Sequence, residues 1–128
     1  ALPPAVLAGA HAAVEHLKAS DLERRQMHAN VRRLKAGLDA ACLPYLDGGS
    51  HIVPLIVGEA GCCRAVTDLL LENYGIYVQP INYPTVPRGT ARLRLTASAV
   101  HQPAQVDALV AALAELYRNH ALFQSAAA

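Results

Sequence analysis

The sequence predicts a mixed α/β (α+β) domain, with a short, mostly antiparallel three-stranded sheet covered by helices on one face, in the order α-α-β-α-β-β-α. Apolar residues recur at helical spacing in four stretches. Three short runs between them carry strand signals, one with strict alternation. A chain of 128 residues with no internal repeat and no dividing linker is one domain, 1–128.

The first helix is predicted over residues 4–18. Proline suits a helix start, and Val6, Ala10, Ala13, Val14 and Leu17 recur at helical spacing. Ser20 begins a second helix, because Ser20-Asp21-Leu22-Glu23 fits a capping box in which hydroxyl and carboxylate satisfy free N–H groups. That helix runs to residue 41 through Met27, Val31, Leu34 and Leu38, and Pro44 stops it. Asp47-Gly48-Gly49-Ser50 is a turn signal.

Residues 51–57 read as a strand ended by Gly58. Pro54 lacks an N–H, which places that strand at an edge or a bulge. A third helix spans 60–73 with Val66, Leu69 and Leu70 on one side, and Gly75 is its C-terminal cap. Residues 76–80 form a second strand, and 82–89 are irregular because Pro84 and Pro87 break them. Residues 92–96 alternate, Leu93 and Leu95 to one face and Arg92, Arg94 and Thr96 to the other. Pro103 opens a last helix that runs to residue 122, with a frayed Ala-rich end.

Composition narrows the partners. The chain is 53% apolar and 16% charged, against about 25% charged in a typical soluble domain. A small domain has much surface, so this predicts that some apolar surface faces another domain or a second subunit. The net charge of +1 offers no basic excess for nucleic acid or anionic lipid. No run approaches the roughly 18–20 apolar residues of a membrane span, and Ala1-Leu2-Pro3-Pro4 is not a signal peptide.

Cys42, Cys62 and Cys63 are odd in number and two are adjacent, which argues against a disulfide framework and for a reducing compartment. Adjacent thiolates do not both reach one tetrahedral ion, so the pair reads as packing. No two histidines form a His-Glu-x-x-His site, and no metal is expected. His51 reads as structural. His101 lies beside the third strand without an assigned role.

Residues 77–98 carry the chemistry. A strand ends in a stiff loop with two prolines, and a second strand returns with arginine on alternate positions. Prolines limit the freedom of an open loop, and Gly89 permits a sharp bend. An arginine held by a strand suits a bidentate grip on a carboxylate. The residues therefore describe a restricted lid beside an anion site. A plain proline turn with a solvated arginine would look the same.

The stretch Ile76-Tyr-Val-Gln-Pro-Ile-Asn-Tyr-Pro-Thr-Val-Pro-Arg-Gly-Thr90, with Arg92-Leu93-Arg94, resembles the C-terminal signature of 5-aminolevulinate synthases. Ser50-His51-Ile52-Val53-Pro54 and Leu2-Pro3-Pro4 resemble other segments of that family in the same order. The resemblance covers nearly the whole chain. It implies the small C-terminal domain of a fold type I pyridoxal phosphate (PLP) enzyme, with residues 1–18 leading in from a missing N-terminal large domain. The family is an acyltransferase that condenses glycine with succinyl-CoA to 5-aminolevulinate, CoA and carbon dioxide, a step towards haem and other tetrapyrroles. It acts as a homodimer, in the bacterial cytoplasm or, in eukaryotes, the mitochondrial matrix.

By residue matching, Arg94 would bind the glycine carboxylate and Thr85 would contact succinyl-CoA. Tyr83, Pro84, Thr85, Val86, Pro87, Arg88 and Gly89 would form the closing loop. Two departures stand out. Related sequences usually carry prolines where this one has Ala97 and Ala99, which predicts a looser connection after the arginine strand. Ala91 replaces a common acidic residue. The family's PLP lysine lies upstream, and neither Lys18 nor Lys35 matches it, so no catalytic residue is expected within these residues and the chain alone should be inactive. The alternatives are a non-catalytic interaction or regulatory module of the same fold, and a sister α-oxoamine synthase using another acyl-CoA.

Overall fold

The computed structural model describes residues 1–119. Its elements are α1 (Pro4–Ala19), α2 (Leu22–Ala40), β1 (Ile52–Gly58), α3 (Ala60–Tyr74), β2 (Gln79–Ile81), β3 (Ala91–Thr96) and α4 (Pro103–Asn119). The order is the predicted one. The expected continuation of the last helix to residue 122, and its frayed end, lie outside the described residues.

The three strands pair in the order β1-β3-β2, antiparallel throughout. β3 is central, with Leu93 opposite Leu55 on one side and Pro80 on the other. Alternation decides the faces. Val53, Leu55 and Val57 of β1 and Leu93 and Leu95 of β3 are buried, while their neighbours are part or fully exposed. The buried face meets Leu34 and Leu38 of α2, Val66 and Leu70 of α3 and Leu113 of α4 in one core. Residues that alternate in a strand thus meet residues that repeat along helices.

Pro54 sits in edge strand β1, as expected. The outer side of β1 is partly covered: the Leu46 N–H donates to the Pro54 carbonyl and the Ile56 N–H to the Pro44 carbonyl, both at 2.9 Å. Pro54 therefore turns its missing N–H outward, where this pairing uses only its carbonyl. A register shift between Ile56 and Gly58, with Gly58 at φ 96°, ends the strand in a bulge.

Helix ends differ from expectation in two places. α2 is not stopped by Pro44. Cys42 adopts the left-handed region at φ 54°, its N–H bonds the Asp39 carbonyl, and the Leu43 N–H bonds the Leu38 carbonyl. This is a Schellman ending with cysteine in the place usually taken by glycine. At the start of α2, Ser20 does not form the full capping box. Its hydroxyl accepts the Leu22 N–H at 3.3 Å and donates to Glu23 at 2.9 Å, and Glu23 also holds His16 Nε2 at 2.6 Å. Gly75 caps α3 at φ 66°, as predicted.

Glu23 thus ties α1 to α2. The His16 contact, then backbone and Ser20 hydrogen bonds, hold its carboxyl down to about 2 from an ordinary 4.5. A folded value below the unfolded one means that ionised Glu23 stabilises the fold above about pH 4.5, and that this contribution is lost as pH falls towards 2. Glu23→Gln is therefore expected to lower the urea midpoint at about pH 7 and to converge on the parent protein in acid. A gap between the two that stays constant down to about pH 2 would remove Glu23 from the joint.

β2 is shorter and later than predicted. Residues 76–78 belong to no strand, and only Gln79, Pro80 and Ile81 pair with β3. α1 is the larger surprise, because none of its residues is buried. Val6, Leu7 and Val14 are 52–53% exposed. An isolated 16-residue helix is marginal in water.

Candidate functional site

β3 sets Arg94. Its neighbours Leu93 and Leu95 are locked in the core, so alternation carries Arg94 to the opposite, exposed face. Its backbone lies between Pro54 of β1 and Gln79 of β2. No hydrogen bond or ion pair engages the Arg94 guanidinium among the described residues. Arg92, two residues earlier, is spent internally, with Nε donating to the Thr90 carbonyl at 3.1 Å.

Past Arg94, residues 76–78 part from β3, and a cavity of about 450 Å³ opens there. Arg94, Thr96, Tyr77, His101, Gln105 and Val106 are among its walls. The site thus joins a free guanidinium to neutral polar groups and apolar surface, which suits a small carboxylate.

The loop between β2 and β3 is built from short-range contacts. The Thr85 N–H donates to the Asn82 carbonyl at 3.0 Å, and the peptide between Tyr83 and Pro84 is cis. The Arg88 guanidinium lies 4.4 Å from the centre of the Tyr83 ring, a cation–π contact. Gly89 at φ 77° turns the chain, and Thr90 returns both its N–H and its hydroxyl to the Pro87 carbonyl. Left-handed backbone at Gly89 explains why glycine stands there.

Among the residues named from the sequence, Arg94 is at the cavity. Thr85 is exposed in the loop and is not among the cavity-lining residues. The amide oxygen of Asn82, at the root of the loop, is buried without a hydrogen-bond partner.

Sequence reasoning missed Asn30. It is buried on α2, and its amide donates to the Ser98 carbonyl at 2.9 Å and the His101 carbonyl at 2.8 Å. The signal was available, because Asn30 falls on the same stripe as Met27, Val31 and Leu34. A polar residue there must find partners. The connection after β3 lacks prolines, but these bonds tie it to α2.

Lys18 pairs with Glu15 at 2.7 Å and Lys35 with Asp47 at 2.5 Å, on α1 and α2. Neither lines the cavity. Among the described residues no three His, Cys, Asp or Glu side chains come together as a metal site. Burial pushes the Cys63 thiol up to about 11, as befits packing rather than reactivity. No described helix is long and apolar enough to cross a membrane.

A family model for aminotransferase class I and II matches residues 1–113. The chain is 52% identical over 127 residues to 5-aminolevulinate synthase of Rhizobium meliloti, covering 99% of this chain and 31% of that protein. It is 53% identical over 122 residues to 5-aminolevulinate synthase 1 of Cereibacter sphaeroides, covering 94% and 30%. A mitochondrial 5-aminolevulinate synthase of Schizosaccharomyces pombe is 49% identical over 100 residues, covering 78% and 18%. The chain spans about a third or less of the length of these curated relatives.

Among solved structures, Sphingomonas wittichii serine palmitoyltransferase matches with a TM-score of 0.85 at 28% identity, covering 92% of this chain and 30% of that one. An 8-amino-7-oxononanoate synthase from Francisella tularensis matches in fold, with a TM-score of 0.76 at 24% identity over 92% of this chain and 34% of that one.

Proposed function

The chain belongs to the aminotransferase class I and II family, and on that premise we propose that it is the substrate-gripping C-terminal domain of a 5-aminolevulinate synthase. What carries the reading is Arg94, an unpaired, strand-held guanidinium at the wall of a cavity, in a chain half identical to enzymes of that name. In the whole protein, Arg94 grips the glycine carboxylate in bidentate fashion. That fixes the orientation of the glycine Cα, where the new bond forms. The loop of residues 83–89 closes over the site and excludes water, with Thr85 reaching the succinyl-CoA.

The reaction balances without an external oxidant. The glycine Cα–H bond breaks and that carbon bonds to the succinyl carbonyl carbon, the thioester C–S bond breaks to release CoA, which takes up a proton as its thiol, and the glycine carboxylate leaves as carbon dioxide while a second proton is taken up at the same Cα. The electron sink would be pyridoxal phosphate, held by residues outside this chain, since neither Lys18 nor Lys35 matches the family's cofactor lysine. These 128 residues alone are therefore inactive.

The remainder of the protein is a large domain that precedes residue 1 and supplies the cofactor site. Residues 1–18 lead in from it, which supports covering the exposed apolar side chains of α1 there. The whole enzyme is a homodimer, cytoplasmic in a bacterium and in the mitochondrial matrix in a eukaryote.

The similarity to serine palmitoyltransferase supports one alternative, a sister synthase taking another acyl-CoA. Supplying the full-length enzyme with glycine and a panel of acyl-CoAs tests both. Release of CoA with succinyl-CoA, together with 5-aminolevulinate, is expected. Preference for a longer acyl-CoA would favour the sister reaction, and no turnover with any would defeat both.

A further inference from the structure

We propose that Asn30 and His101 form a latch that positions Arg94 by holding the end of β3. The inference rests on the proposed function for the identity of the carboxylate, but not for the latch itself.

The need for a latch comes from the sheet. β2 pairs with β3 only from Arg92 to Arg94, and beyond that the β2 side of β3 opens onto the cavity. From Leu95 onward β1 is the one neighbouring strand, and its pairing ends at Thr96. The far end of the strand must therefore be fixed by the connection to α4. In that connection, residues 98–101 form a tight turn in which the His101 N–H approaches the Ser98 carbonyl at 3.4 Å. Two side chains close that turn. Asn30, 6% exposed, donates its amide to both the Ser98 and His101 carbonyls. His101 Nδ1 accepts the Ser98 N–H at 3.1 Å. That bond places the ring proton on Nε2.

The latch touches the site directly. His101 and Arg94 line the same cavity, with Leu34, one turn along α2 from Asn30. Asn30 thus connects a helix that packs one face against the core to the strand that aims the guanidinium. Asn30 is buried and its two bonds are part-buried, so truncating it removes bonds that solvent replaces only in part. Asn30 and His101 are positioning residues; neither needs to touch the substrate.

Hydrogen exchange and steady-state kinetics on the full-length protein test this with Asn30→Ala, His101→Asn and His101→Gln. The oxygen of an asparagine side chain sits where Nδ1 does, whereas that of glutamine reaches further, so only H101N should restore the bond to Ser98. Asn30→Ala and H101Q are expected to raise amide exchange over residues 91–101 about tenfold, without change over residues 60–74. They should also raise the glycine KM about tenfold and leave the succinyl-CoA KM within about twofold. H101N should match the parent in amide exchange over residues 91–101 and hold the glycine KM closer to the parent value than H101Q does.

Unchanged exchange over residues 91–101 in Asn30→Ala and H101Q would overturn the latch. So would identical behaviour of H101N and H101Q, or a rise in both KM values together. If Asn30→Ala does not fold, the contrast between the two His101 variants decides. A parent protein that makes no 5-aminolevulinate would defeat the functional reading, while the exchange contrast would still decide the latch.

Discussion

Arg94→Ala in the full-length protein is expected to raise the glycine concentration needed for half-maximal rate by about a hundredfold. Truncating one member of a hydrogen-bonded charge pair costs about 2–5 kcal/mol, because the other charge is left without its partner. The dependence on succinyl-CoA should move little, since Arg94 is assigned to glycine alone. Arg94→Lys keeps the charge and loses the planar fork, so it should fall between the two. Steady-state kinetics with each substrate varied in turn checks this. An unchanged glycine dependence would remove Arg94 from the site.

Leu93→Ala is expected to destabilise the fold by about 2–5 kcal/mol. Leu93 is fully buried at the centre of the middle strand, with Leu55 and Pro80 at its flanks. The cavity left there cannot be filled by shifting one edge, because strands lie on both sides and helices below. Leu71→Ala is the control: Leu71 is 51% exposed on α3, and its loss should stay within about 0.5 kcal/mol. Urea unfolding of both variants measures the contrast. Equal effects would contradict the placement of the core.

Much of this fold was legible because its signals are local. The alternation of residues 92–96, the stripe Val31–Leu34–Leu38 and Gly75 each act within a few residues, and each sits as expected. What differed depends on distant partners. Residues 76–78 have strand composition, but whether they pair is decided by where β3 turns away. The stop of α2 at Cys42 needs a left-handed cysteine, which no composition rule announces. α1 has a helical pattern, but its sequence cannot say whether anything covers it.

The site divides the same way. Arg94 and an anion site beside it were legible from alternation, but the walls of the cavity were not, because they come from α2, residues 74–78, β3 and α4 together. Asn30 was overlooked because its partners lie 68 and 71 residues away.

On the proposed function the active site is divided, with the substrate grip in these residues and the cofactor anchor outside them. Borohydride reduction of the full-length protein loaded with pyridoxal phosphate fixes the cofactor to the lysine that holds it, and peptide mass mapping identifies that lysine. A pyridoxyl label is expected on a lysine preceding residue 1 and none on Lys18 or Lys35. A label on Lys18 or Lys35 would contradict it.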